Sequence, residues 1–221
     1  MPKVPENLDK ILFLLKKEIR KFEIPIATKI GNKTRDPFRV LISCILSLRT
    51  KDTTTGPACE RLFELADTPE KMLKLPNKKI EKAIFPVGFY PTKTRYIKRT
   101  CKFLIRNYDG KVPKTMSDLI KLPGIGRKCA GLTMIYGHNI TESIPVDTHV
   151  HKIANRLGWV KTKQPEKTEQ ELMKIIPRKH WHDLNNLLVA HGQNICVPVS
   201  PFCSKCYINK YCPRIGIKKS R

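Results

Sequence analysis

The stretch Leu122–Val150, LPGIGRKCAGLTMIYGHNITESIPVDTHV, decides how the rest of the chain is read. Pro123-Gly124 marks a turn, and Gly126 is a second position where a partner can approach backbone with no Cβ in the way. Around and after it, Ile125, Ala130, Leu132, Thr133, Ile135 and Tyr136 mix apolar and small residues without strict alternation, which predicts a helix from about Gly126 rather than a strand. A helix that begins on a glycine turn points unpaired amides and a partial positive charge outward, the makings of a phosphate site. Lys114 ahead of the turn and Arg127 and Lys128 just inside the helix add full charges. Pro-Gly turns also cap ordinary helices, so the rest of the chain has to decide between the two readings.

The charge balance supplies that context. Over 221 residues, 43 Lys plus Arg stand against 19 Asp plus Glu, a formal net charge of +24 that far exceeds what solubility requires. A polyanionic partner follows, and beside a phosphate-binding turn the partner is nucleic acid. With 40% hydrophobic residues the chain can bury one good core or two small ones. Its longest apolar run, Val40–Leu48, is far short of the roughly 18 residues a membrane helix needs and is interrupted by Ser43, Cys44 and Ser47. MPKVPENLDK at the front has neither an apolar signal region nor a cleavage pattern, so a cytoplasmic, prokaryote-like protein with no membrane association is expected.

Working outward, Asn7 or Asp9 can cap a first helix with Leu8, Ile11, Leu12, Leu15 and Ile19 on one face. Thr28 to Asp36 reads as a polar connection, and Pro37 to Leu48 as a central helix covered on several sides. LRTKDTTTG, residues 48–56, reads as a polar break, followed by short helices over Cys59–Leu65, Pro69–Leu75 and Lys78–Phe85. Gly88-Phe89-Tyr90-Pro91 makes a loop, Lys93–Tyr108 a longer helix, and Thr115 caps a short helix through Leu122 that enters the glycine turn. Helices over Asp147–Leu157, Pro165–Ile176 and Lys179–Ile195 complete the chain. Alternating β-branched runs are scarce, so the predicted fold is all-α, with about ten short helices.

Cys196, Cys203, Cys206 and Cys212 follow the spacing C-x6-C-x2-C-x5-C in a proline-rich loop that lacks core residues and needs a staple. Disulfides, zinc and an iron–sulfur cluster are the choices. A reducing compartment favours a metal, and the single C-x2-C knuckle with wide flanking gaps leans toward a cluster over zinc. Cys44, Cys59, Cys101 and Cys129 fall singly on apolar helix faces, where core filling is their expected role.

LPGIGRKCA, Asp147 nineteen residues after Lys128 within VDTHV, and the four-cysteine loop together resemble the endonuclease III branch of the helix-hairpin-helix DNA glycosylases. ILSLRTKD and VGFYPTKTRYI are similar to further segments of that family, so the resemblance runs from about Pro37 to Cys212. It implies base-excision repair of oxidised pyrimidines such as thymine glycol, by a monomer acting on double-stranded DNA with damaged bases or abasic sites. It also implies two helical domains flanking a DNA-binding cleft: a six-helix domain, residues 29–141, holding the hairpin, and a four-helix domain, residues 1–28 with 142–221, holding a [4Fe-4S] cluster on Cys196, Cys203, Cys206 and Cys212. Lys128 is the nucleophile by the family pattern and Asp147 its carboxylate partner. Arg49 stands where the family usually has the glutamine that fills the space left by a flipped base, and Cys129 where Thr or Ser is common.

The residues themselves suit that chemistry. An enzyme acting on a base inside a duplex must extrude the nucleotide. Gly124, Gly126 and Arg127 can hold the backbone, while Arg49 and Phe89 can replace lost stacking. Lys205 is expected beside DNA, and His149 to be structural or beside DNA. An amine attacking C1′ expels the base and leaves an imine that acidifies the C2′ proton, so one lysine serves both base removal and strand cleavage. A monofunctional mismatch glycosylase of the same superfamily, using water as nucleophile, leaves Lys128 without a role. A non-enzymatic DNA-binding iron–sulfur protein leaves both Lys128 and Asp147 unexplained, and an electron carrier does not explain the charge.

Overall fold

Capping residues set where many of the helices begin. In the computed structural model of the chain, which describes residues 3–221, Asp36 accepts from the amides of Phe38 (2.9 Å) and Arg39 (3.3 Å) and starts α3, Pro37–Ser47. Proline at its first position fits the helix without costing a hydrogen bond. Thr68 caps α5, Pro69–Lys74, and Thr115 caps α8, Met116–Leu119, through Lys71 N (3.3 Å) and Asp118 N (3.2 Å). The other helices are α1 (Leu8–Ile19), α2 (Ile26–Thr34), α4 (Asp52–Leu65), α6 (Asn77–Ile84), α7 (Tyr90–Tyr108), α9 (Arg127–His138), α10 (Thr148–Arg156), α11 (Pro165–Ile175) and α12 (Trp181–Asn194). Single 3-10 turns occur at Arg178–His180, Cys203–Lys205 and Asn209–Tyr211. No strand is present among the described residues, and none of the helices is long and apolar enough to cross a membrane.

Two compact units emerge, each around its own apolar cluster: Ile26–Glu142, and the residues up to Pro25 together with Ser143–Arg221. In the first, α3 is buried from Val40 through Leu46 and packs most extensively on α9. Packing from several sides explains why its sequence shows no polar stripe. In the second, Leu8, Ile11, Leu12 and Leu15 of α1 join Leu184, Leu187 and Leu188 of α12 and Val150 and Ile153 of α10.

Several expectations need correction: Tyr90 and Pro91 open α7 rather than lying in a loop, and Asn7 stands at the start of α1 without a side-chain cap bond. The polar connection over Thr28–Asp36 is largely helix: α2 runs to Thr34 and buries Ile26, Ala27, Thr28 and Gly31, with Gly31 in close approach to Tyr136 of α9. The polar break over 48–56 ends at Lys51; α4 begins at Asp52 and carries Pro57 inside it, with Thr55 fully buried. Helix α8 stops at Leu119 rather than Leu122, since the chain tightens there into successive turns, with Leu122 N donating to Leu119 O and Ile125 N to Leu122 O, both at 3.1 Å.

Candidate active site and cysteine pocket

The hairpin between α8 and α9 lies wholly within the first unit. Gly124 has φ +80°, and a Cβ there would also meet the Tyr96 ring at 2.9 Å, so both conformation and space call for glycine. Gly126 is the N-cap of α9, and a Cβ built on it would meet nothing within 4 Å: its outer side is open. Arg127 is exposed and Lys128 half-buried in the first turn of α9, while Cys129 through Tyr136 are buried behind them. Core packing thus fixes the helix whose first turn, with Arg127 and Lys128, follows the open side of Gly126.

Helix α7 supports this hairpin and a second feature. Tyr96 abuts Gly124, and Thr100 donates to Pro123 O at 3.0 Å. One turn earlier, Lys93 is only 4% exposed, and its Nζ donates to Leu46 O (2.7 Å), Leu48 O (2.5 Å) and Thr50 Oγ1 (2.9 Å). Burial pulls the Lys93 ammonium down to about 8. Thr50 Oγ1 also accepts from Gly88 N at 3.2 Å. Between these clamped positions stand Arg49 (φ +53°) and Phe89 (φ +57°), both left-handed, both exposed, with the guanidinium carbon 6.0 Å from the ring centroid. Each left-handed side-chain-bearing residue costs about 1–3 kcal/mol, so the surrounding hydrogen bonds must hold them.

Asp147, in the second unit, is the N-cap of α10: its Oδ1 accepts from His149 N and Val150 N, both at 2.9 Å. The carboxylate is half-buried and its orientation is therefore set by the helix it starts. The ring of His149 lies against α12 at Gly192, where a Cβ would come within 2.6 Å of Nδ1. His151 is bound to Thr168 Oγ1 at 2.6 Å and packs inside the unit.

The four cysteines Cys196, Cys203, Cys206 and Cys212 line one pocket, together with Arg156, His191 and apolar groups including Ile153, Leu157 and Ile208. None is in a disulfide. Arg156 closes the loop by donating from Nη1 to Cys196 O (3.0 Å), Cys196 Sγ (3.1 Å) and Val197 O (3.0 Å), and from Nη2 to Pro198 O (2.9 Å). Burial alone would raise the Cys196 thiol; hydrogen bonds from His191 and Arg156 outweigh it and lower its pKa. Four thiols lining one pocket, flanked by cations, are a donor set of the kind that holds an iron–sulfur cluster. Lys205 is exposed on the same loop.

Sequence reasoning missed the tie beneath this pocket. Glu18 of α1, 1% exposed, hydrogen-bonds His191 Nδ1 through one oxygen and accepts Tyr207 N (3.1 Å) with the other. Glu18, His191 and Cys206 bring ligand atoms within 4.8 Å of one another, but the carboxylate and imidazole already bind each other. Helical phase was the available signal: Glu18 falls three residues after Leu15, on the inward face of α1, and Lys93 four before Ile97 on that of α7. Cys44, Cys59, Cys101 and Cys129 are all buried, and burial pushes Cys59 and Cys101 up to about 12.

A family model for HhH-GPD superfamily base excision DNA repair proteins matches residues 42–178, which include the hairpin, Lys128 and Asp147. Endonuclease III of Thermotoga maritima is 41% identical over 182 residues, covering 82% of this chain and 85% of that protein. The chain belongs to the endonuclease III family. Endonuclease III-like protein 1 of Mus musculus is 43% identical over 178 residues, 80% of this chain, which spans 59% of that longer relative. Among solved structures, a trapped endonuclease III–DNA covalent intermediate, an estranged-adenine complex, matches with a TM-score of 0.80 and 31% identity over 93% of this chain and 95% of that one.

Proposed function

We propose that this endonuclease III family chain is a bifunctional DNA glycosylase and abasic-site lyase of base-excision repair, acting on double-stranded DNA that carries oxidised pyrimidines such as thymine glycol. The observation that carries the reading is Lys128 in the first turn of α9, half-buried beside an open glycine cap and held by a helix buried from Cys129 onward. Phosphates bind the amides and cations at this helix start, while the lysine reaches the sugar they flank.

The neutral Lys128 amine forms a bond to C1′ as the C1′–base bond breaks and its electron pair departs with the base. Ring opening at O4′ leaves a protonated imine. Loss of the C2′ proton then expels the 3′ phosphate and cuts the strand, and water finally releases the lysine. Asp147, its carboxylate oriented by the α10 amides, balances the positive charge that builds on the sugar and takes up the amine's proton. Arg49 and Phe89 enter the stack vacated by the extruded nucleotide, and His149 and Lys205 contact the backbone.

Cys196, Cys203, Cys206 and Cys212 would hold a [4Fe-4S] cluster. Such a cluster supplies four strong thiolate bonds that shape a loop with few core residues, and base loss and β-elimination draw no electrons from it.

Borohydride trapping tests the reading. An abasic or thymine-glycol duplex with the wild-type chain yields a covalent adduct, and Lys128→Ala loses the adduct while retaining most DNA affinity. Adduct formation undiminished in Lys128→Ala would overturn it.

A further inference from the structure

The endonuclease III reading places Arg49 and Phe89 in the duplex but leaves open what keeps two exposed, left-handed residues from distant parts of the chain side by side. Both lie within the first unit, and Lys93 bonds to both of the loops that carry them. Its Nζ binds the carbonyls of Leu46 and Leu48 at the end of α3 and the hydroxyl of Thr50, so the residues on both sides of Arg49 are held. Thr50 Oγ1 passes the connection to Gly88 N, the residue before Phe89, and Lys93 N donates to Phe89 O at 3.0 Å. Gly88 is what lets the two loops meet: a Cβ there would lie 3.2 Å from Arg49 O and 3.3 Å from Thr50 Oγ1.

A lysine suits this place for a physical reason. Three acceptors converge on one point, and an ammonium carries three donors with no acceptor of its own. Removing it would leave carbonyls at a buried helix end without a partner, and the loops free to relax out of their left-handed conformations.

We propose that Lys93 is a positioning residue for base extrusion: its ammonium clamps the two loops so that the Arg49 guanidinium and the Phe89 ring enter the duplex as one preformed unit. The proposal rests on the reading that this pair occupies the duplex. It separates the work of opening the helix from the work of Lys128, since a single strand offers no opposite strand and no stack for Arg49 and Phe89 to enter.

The experiment measures single-turnover excision from a thymine-glycol duplex and, separately, strand cleavage at an abasic site in single-stranded DNA. Lys93→Met, which keeps the stem and removes the donors, is expected to slow duplex excision by about tenfold or more, as a shift of about an ångström at a working group can. Single-strand cleavage is expected to stay within about twofold of wild type, a selectivity that general loss of structure would not produce. Combined with Arg49→Ala and Phe89→Ala, Lys93→Met should add no further loss on duplex, because the pair it positions is gone. Thr50→Val removes the shared oxygen at nearly constant volume and carries the same test if Lys93→Met does not fold. Equal slowing on both substrates, wild-type duplex rates, or a loss that multiplies on top of the Arg49/Phe89 variant would each overturn the proposal. A fully active Arg49/Phe89 variant would instead remove the reading beneath it and the proposal with it.

Discussion

Replacing Gly31 by alanine tests whether close helix contact is what holds the hairpin helix. A Cβ at Gly31 of α2 would lie 2.5 Å from Tyr136 Cβ and 2.7 Å from Tyr136 O, on α9. Atoms in ordinary contact sit about 3.5–4.0 Å apart, so α2 and α9 must part by about 1 Å. Overpacking of this kind costs about 1–3 kcal/mol, and alanine returns at most about 1 kcal/mol of helix propensity. A net loss of about 1–2 kcal/mol lowers the melting temperature of a chain this long by roughly 2–8 °C. Lys128 lies on the same helix, so its turnover rate should fall as well. Gly126→Ala is the matched control: its Cβ meets nothing within 4 Å, so stability should stay within about 0.5 kcal/mol while DNA affinity drops, because the methyl occupies the space a phosphate needs. Thermal and urea unfolding of the two variants decide the matter. A Gly31→Ala protein as stable as wild type would refute the packing argument.

The remaining predictions concern charge and metal. Lys93 has a folded-state pKa of about 8, below its usual value of 10.5, so between those values the unfolded chain holds a proton that the folded chain has released. Stability from this group therefore rises with pH across that window, and the urea-unfolding gap between wild type and Lys93→Met should widen by about 2–3 kcal/mol from pH 7 to pH 10; a constant or narrowing gap would contradict the assignment. The purified chain should contain iron and acid-labile sulfide, and Cys206→Ser should lose both and melt at lower temperature; stoichiometric zinc in their place would rule out the cluster.

Much of the fold could be read from periodicity, and the misses at α2 and α4 share a cause. Helices α1 and α3 announced themselves through large apolar residues at regular spacing or in a continuous run. Helix α2 did not, because its buried face is built of Ala27, Thr28 and Gly31, whose value lies in what they omit rather than in hydrophobicity. The first turn of α4 was hidden in the same way by Thr53, Thr54, Thr55 and Gly56. At the site, Asp147 carries two readings on one atom: its Oδ1 caps α10, and that bond also aims the carboxylate. Lys93, Glu18 and His191 look like surface charges in a strongly basic chain until helical phase turns them inward, and only their partners, distant in sequence, reveal what each one holds. The grouping of four cysteines in a short loop was legible, and they line one pocket, whereas the Arg156 clamp that gathers the loop was not.

On the proposed mechanism, one amine opens the sugar and cuts the strand. Peptide mapping by tandem mass spectrometry of the borohydride-reduced adduct reads that directly. The remnant of the deoxyribose should be found on Lys128 and lost in Lys128→Ala, and a remnant on another lysine, or on the terminal amine, would contradict the account.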